Sequence, residues 1–248
     1  MRILEAWGRL MGGIAAPFAA LGSLTRNARL FHPDGVLYSA RVDPLAKEGP
    51  IGELAKRLQG PAIVRLSSAW WRNEKEWPDI LGIAVRFLDS DKSAAKSPGP
   101  RDQDLLFATI PALPLMPVAP LFTRQHDFFA NQYPALLPFA VEGLGRVKFR
   151  IVTMRLPSNL RTRRQKLEAR VAAGTAVLRL EMRSTRPGAI WTDVAMIVLR
   201  EKSPVNESTL LFDPFRSGRG IVPVGFFQMA RAAIYKASYL GRTITRAK

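Results

Sequence analysis

The sequence has no cysteine. That excludes disulfides, thiolate-held metal centres and cysteine nucleophiles. It has only two histidines, His32 and His126, so a three-histidine zinc site is excluded as well. Acidic residues are scarce: 20 Asp plus Glu stand against 37 Lys plus Arg, a formal net charge of +17. An excess of that size favours anionic partners, whether nucleic acid, anionic lipid or an acidic cofactor, and says nothing about fold. A clean apolar run of about 20 residues is also missing. Residues 2–24 come nearest, but Glu5 and Arg9 interrupt them, which argues against both a membrane span and a cleaved signal peptide. What remains is ordinary globular composition, 47% hydrophobic and 23% charged over 248 residues. The chain is therefore not a disordered one, and it is long enough to bury a substantial core as one large domain or two small ones.

Ile3, Trp7, Leu10, Ile14, Phe18 and Leu21 recur every three or four residues, which predicts a helix with one apolar face over 1–24, bent at Pro17. Such a helix docks on the body of the protein, or it lies on a membrane surface or at a subunit contact; the pattern leaves these open. The remainder, 25–248, reads as one domain. Runs rich in Val, Ile and Ala predict strands at 35–42, 61–68, 82–88 and 104–110, and again at 146–155, 176–183 and 190–199. A short helix is expected over 51–58, closed by Gly60 and Pro61, and an exposed loop over 89–103. Prolines at 111, 114, 117 and 120 work against regular structure before a helical stretch near 121–132. A basic helix over 158–172 carries Arg161, Arg163, Arg164, Lys166 and Arg170, and a last helix spans about 224–242. Many strands joined by turns, with helices inserted and appended, indicate an α+β fold built on an antiparallel sheet or barrel.

Three constellations could carry chemistry. On the last helix, Arg231, Tyr235, Tyr239 and Arg242 project within an arc of about 80°. An arginine four residues before a tyrosine favours the phenolate, a hard anionic ligand suited to ferric haem. The same spacing also describes a packed tyrosine ring beside a snorkelling arginine. The second constellation is His32, at a turn between Arg29-Leu30-Phe31 and Pro33-Asp34-Gly35, which is either a base near neutral pH or an ordinary turn histidine. The third is the strand Val64-Arg65-Leu66-Ser67, where alternation puts Arg65 and Ser67 on one face, either toward solvent or inward against anionic partners.

Taken in order, these segments resemble the haem catalase superfamily. Arg29 and His32 match its Arg-x-x-His segment, and Val64-Arg65-Leu66-Ser67 its Val-Arg-Phe-Ser strand. Gly82-Ile83-Ala84-Val85-Arg86-Phe87 matches its Gly-Phe-Ala-Val-Lys-Phe run. Asp104-Leu105 with Pro111, Val147-Lys148-Phe149, Pro204-Val205-Asn206, Phe212-Asp213-Pro214 and Gly220-Ile221-Val222-Pro223 follow in the family's chain order. Arg231, Tyr235 and Arg242 then match its proximal Arg-x-x-x-Tyr motif and a later arginine. The similarity covers roughly residues 28–242, about half the length of an ordinary catalase. It is similar to the short catalase-like peroxidases and allene oxide synthases.

The resemblance implies a catalase-like barrel of about eight antiparallel strands, with inserted helices and a C-terminal proximal helix. It implies haem b, iron protoporphyrin IX, as cofactor. Tyr235 would be the axial iron ligand, held as phenolate by Arg231, and His32 the distal acid/base, oriented by Ser67. Arg29, Arg65 and Arg242 would pair with the haem propionates. Phe31 would pack on the porphyrin, and Phe122 would stand near the distal aromatic. Two positions depart from the family: Ala108 replaces the distal asparagine, and Ala237 replaces an aspartate after the proximal tyrosine. The expected activity is therefore that of a haem hydroperoxidase in the oxidative stress response, cleaving hydrogen peroxide or organic and lipid hydroperoxides with little true dismutation. A non-catalytic haem carrier or sensor is the alternative. A cytoplasmic chain touching anionic membranes is expected, with no specific nucleic-acid partner and a homodimer as one use of the apolar N-terminal face.

Overall fold

In the computed structural model the described residues are 34–70, 75–90, 98–205 and 210–225. The chain starts its sheet with β1 (Asp34–Pro44), crosses the barrel end with helix α1 (Gly49–Leu58), and returns in β2 (Gly60–Ser68). β3 (Leu81–Phe87) and β4 (Gln103–Ala108) follow as an antiparallel meander. A 3-10 turn (Leu113–Val118) leads into the short helix α2 (Ala119–Phe122). Then come β5 (Gln132–Pro134), β6 (Phe139–Val141), β7 (Gly145–Thr153), helix α3 (Arg163–Ala172), β8 (Val177–Ser184), β9 (Thr192–Lys202) and β10 (Ile221–Pro223).

Among the described residues every strand pairing is antiparallel, and the strands follow one path, β10-β6-β7-β8-β9-β1-β2-β3-β4, with β5 added on β7. The result is a nearly closed barrel. Gln103 fastens the seam between β4 and the chain leading into β10. Its side-chain amide donates to the carbonyls of Arg216 and Ile221, and its Oε1 accepts from the N–H groups of Arg219 and Ile221.

Period-2 alternation decides which side chains fill the barrel. The cross-strand row Tyr38, Val64, Val85 and Leu105 points inward, as do Ile151, Leu180 and Ala195. Removing each large aliphatic of this set from water stabilises the fold by about 1.5–3 kcal/mol. The two longer helices plug opposite ends: α1 inserts Leu54 and Leu58, and α3 inserts Leu167, all fully buried.

The strands expected from sequence are present within a residue or three at most ends. Four differences have clear causes. The basic helix begins at Arg163 rather than 158, because Thr162 and Gln165 form a reciprocal capping box. The helix expected over 121–132 is reduced to α2 and a 3-10 turn at Phe128–Ala130. There Asp127 accepts from the Phe129 N–H, while Asn131 bonds the N–H and carbonyl of Arg124 and the carbonyl of Asp127. These side chains take backbone groups that a helix would have used. The prolines before Phe122 favour a 3-10 turn, with Pro114 and Pro120 near helix starts where no N–H is needed. The short strands β5, β6 and β10 give three residues each, too few to show a period. The helices expected over 1–24 and 224–242 lie outside the described residues, save Val224 and Gly225, which are not helical.

Candidate functional site

The same alternation that fills the barrel turns a second set of side chains outward from β1 to β4. Three rows run across these strands. The first is Gly35, Ser67, Gly82 and Ala108; the second is Leu37, Arg65, Ala84 and Leu106; the third is Ser39, Ile63, Arg86 and Asp104. The first two rows hold two glycines and two alanines around one guanidinium and one hydroxyl, with Leu37 and Leu106 at the two ends of the second row. They form a strip of low relief on the barrel's outer wall.

Arg65 and Ser67 are both 4% exposed, although they point away from the barrel core. The Arg65 guanidinium lies flat on Gly35: a Cβ at that glycine would stand 2.6 Å from Nη2 and 2.8 Å from Nε. Gly35 is therefore required for close approach, not for a turn. Ser67 Oγ donates to the Gly82 carbonyl across β2 and β3 at a long 3.5 Å. A buried guanidinium beside a hydroxyl, on a floor of hydrogen and methyl side chains, is suited to a flat apolar group that carries a carboxylate.

The third row anchors one side of the strip. Arg86 and Asp104 pair on the outer wall, buried because the segment 210–216 closes over them through the Arg216 guanidinium and the Asp213 N–H. Phe212 stacks on the Arg86 guanidinium at 5.1 Å. Leu210 packs there with Leu37, Ile63 and Leu88. On the other side, Thr109 follows Ala108 and shares a 2.7 Å hydroxyl contact with Thr123. That contact fixes α2, and with it Phe122, beside the strip's far edge.

A half-open cleft of about 290 Å³ meets the strip at Gly35 and Ser67 and runs toward the start of α3. Its walls include Phe128, Arg163, Lys202 and Glu76. Glu76 spans two partners: Oε1 accepts from the Arg163 N–H, and Oε2 lies 2.5 Å from His126 Nδ1. The helix start is thus closed by a carboxylate from the β2–β3 connection, which also suits its dipole.

Of the residues the sequence singled out, the structure brings Arg65 and Ser67 together as expected, on one buried outer face. Phe122 is 68% exposed at the end of α2. Arg29, Phe31, His32, Arg231, Tyr235 and Arg242 lie outside the described residues. Among the described residues no cluster of three His, Asp or Glu side chains is arranged to hold a metal ion. Sequence reasoning missed Glu76 and the Arg86–Asp104 pair. Glu76 sits in the charged run Asn73-Glu74-Lys75-Glu76, which reads as a solvated loop. Arg86 carried a usable signal, a lone charge inside an apolar strand, on the same face as Ala84.

No family model and no curated protein matches this sequence. Solved structures do match its fold. A fungal catalase superposes with a TM-score of 0.63 at 11% identity, over 90% of this chain and 61% of its own. Catalase A from Saccharomyces cerevisiae superposes with a TM-score of 0.57 at 12% identity, over 90% of this chain and 62% of its own. The chain spans about three fifths of the length of the catalases it matches. It carries a catalase-like α+β fold.

Proposed function

We propose that this chain is a haem-dependent hydroperoxidase that cleaves the O–O bond of hydrogen peroxide or of an organic hydroperoxide. The observation that carries the reading is the buried pair Arg65 and Ser67, side by side on a strip of glycine and alanine on the outer wall of a catalase-like barrel. The described residues fit haem b: the strip suits a flat apolar ring, and the Arg65 guanidinium is of the kind that pairs with a propionate. Tyr235 would hold the iron, with Arg231 stabilising its phenolate, and Arg29, Arg65 and Arg242 would pair with the two propionates. When bound, haem supplies the ferric centre and the electrons that break the O–O bond.

The chain's own residues do the proton work. His32 takes the proton from the near oxygen of the hydroperoxide and returns it to the far one, so that water or an alcohol leaves. Ser67 orients that imidazole. Phe31 would pack on the porphyrin, and Phe122 would stand near the distal aromatic. Ala108 offers no hydrogen bond to a second peroxide, so oxygen-evolving dismutation is slow relative to oxidation of an added reductant. The enzyme acts in the cytoplasm, against peroxide stress.

An absorption spectrum of the hemin-reconstituted protein, beside its Tyr235→Phe variant, tests the reading. A Soret band with tyrosinate-ligated ferric character, lost in the variant, together with hydroperoxide-dependent oxidation of a dye, supports it. A tyrosinate spectrum with no reaction toward peroxide makes the protein a haem carrier or sensor instead. Equal spectra for the two proteins remove Tyr235 as the ligand and end the proposal.

A further inference from the structure

On the far wall of the barrel, β7 and β8 turn a basic face outward. Arg146, Lys148 and Arg150 alternate along β7 with the buried Val147, Phe149 and Ile151. Lys148 stands opposite Arg183, and Arg150 opposite Glu181. Outward neighbours lie about 7 Å apart along a strand and about 5 Å apart across the pair. The carboxylates on this face are already engaged. Glu181 takes Arg150 at 2.6 Å and Arg179 at 3.0 Å, and Asp193 takes Arg179 at 3.3 Å. Among the described residues no carboxylate pairs with Arg146, Lys148, Arg183 or Arg186. Like charges held this close repel unless an anion lies over them.

The connection from β8 to β9 projects from the edge of this face. Its start is pinned where the Thr185 N–H donates to the Arg146 carbonyl, and Gly188, at φ 75°, turns the chain back. That turn leaves Ile190 79% exposed, more than any other large apolar side chain described. Beside it, the Trp191 ring carries the guanidiniums of Arg150 at 4.3 Å and Arg183 at 4.8 Å. An apolar tip, an aromatic ring next to it and unpaired cations behind them are arranged in the order in which a bilayer presents hydrocarbon, interface and phosphate. Nucleic acid fits less well. It rewards aromatic rings open for base stacking, and it leaves an exposed isoleucine in water; here the ring is engaged by two guanidiniums.

We propose that the β8–β9 connection and the outer face of β7–β8 form a docking surface for anionic membranes. Ile190 enters the acyl boundary, Trp191 lies at headgroup depth, and Arg146, Lys148, Arg183 and Arg186 bind lipid phosphates. The surface is independent of the haem reading.

Co-sedimentation of the full chain with vesicles of phosphatidylglycerol and phosphatidylcholine tests it, with phosphatidylcholine vesicles and duplex DNA run in parallel. Each removed basic residue lowers partitioning about fivefold, so Arg146→Gln/Lys148→Gln/Arg183→Gln weakens binding about 100-fold. Ile190→Ser, at an exposed position that does not threaten folding, weakens vesicle binding about tenfold and leaves DNA binding unchanged. The equally charged control Lys47→Gln/Arg161→Gln/Lys202→Gln changes partitioning by no more than about threefold. Equal losses in the two triple variants would mean that net charge alone acts, and would overturn the proposal. So would an Ile190→Ser protein that binds vesicles as the parent does, since the face would then be a general polyanion surface.

Discussion

Arg86 and Asp104 form a bidentate ion pair across β3 and β4, with Nε–Oδ1 at 2.7 Å and Nη2–Oδ2 at 2.8 Å, and their side chains are 3% and 0% exposed. Asp104 also accepts from Arg216 Nε at 3.2 Å and from the Asp213 N–H at 2.8 Å. One carboxylate therefore fixes a buried cation and the segment that covers it. Asp104→Asn leaves Arg86 uncompensated and is expected to cost about 3–5 kcal/mol in urea unfolding. Arg86→Met/Asp104→Leu should cost less than Asp104→Asn, because the fully buried cation leaves with its partner and only the more exposed Arg216 loses its carboxylate. A double variant that is worse than Asp104→Asn would show that the pair contributes more than it costs to bury.

How far the sequence foretells this arrangement depends on how local each determinant is. The strand Val64-Arg65-Leu66-Ser67 declares itself through alternation, and the barrel follows from many such strands in series. Arg65 against Gly35 is different, because the contact depends on the register between β1 and β2, which no single segment states. Gln103 reads as the end of an exposed loop; only closure of the sheet around it makes its amide a seam. Glu76 caps a helix 87 residues away, and nothing in its own neighbourhood marks that role. Thr162 and Gln165 did hold a local signal, the capping box, and reading it would have placed the start of α3 correctly.

Tyr133 gives the fold an alkaline limit. Its hydroxyl donates to the Phe128 carbonyl at 2.7 Å and the residue is fully buried. Burial, more than any charge nearby, pushes its pKa far above the ordinary 10.0. A raised folded-state value means the stabilisation is complete below about pH 10 and drains away above it, at about 1.4 kcal/mol per pH unit. Urea unfolding followed from about pH 9 to 11 should show that slope. Tyr133→Phe should cost about 1 kcal/mol at neutral pH and flatten the alkaline fall. Part of the slope should survive through Tyr38, whose pKa burial also raises.

Gly35→Ala tests whether the flat seat of Arg65 matters to the proposed cofactor site. The new methyl would overlap the guanidinium at 2.6 Å, and Arg65 has no solvent to swing into at 4% exposure. The expected cost is about 1–3 kcal/mol of stability from overpacking. Hemin titration should also show an affinity about tenfold weaker than that of the unaltered protein, because the displaced cation no longer meets a propionate squarely. Unchanged hemin affinity in a destabilised variant would confine Arg65 to a structural role.

Ala108→Asn addresses the balance between peroxidation and dismutation. Ala108 ends the row that begins at Gly35 and passes through Ser67 and Gly82, so its side chain faces the same strip. Its neighbour in that row is Gly82, which has no side chain, although Ala108 itself is buried beside Ala69, Ile80, Ile110 and Ala119. An amide there supplies a hydrogen-bond donor to a second peroxide, and one such donor is worth up to about 10²–10³ in rate where it meets developing charge. Without its partners tuned to it, a smaller gain of about tenfold in oxygen evolution is expected, read with an oxygen electrode, while dye oxidation changes little. Vigorous oxygen evolution by the unaltered protein would mean that the methyl group at 108 does not limit dismutation.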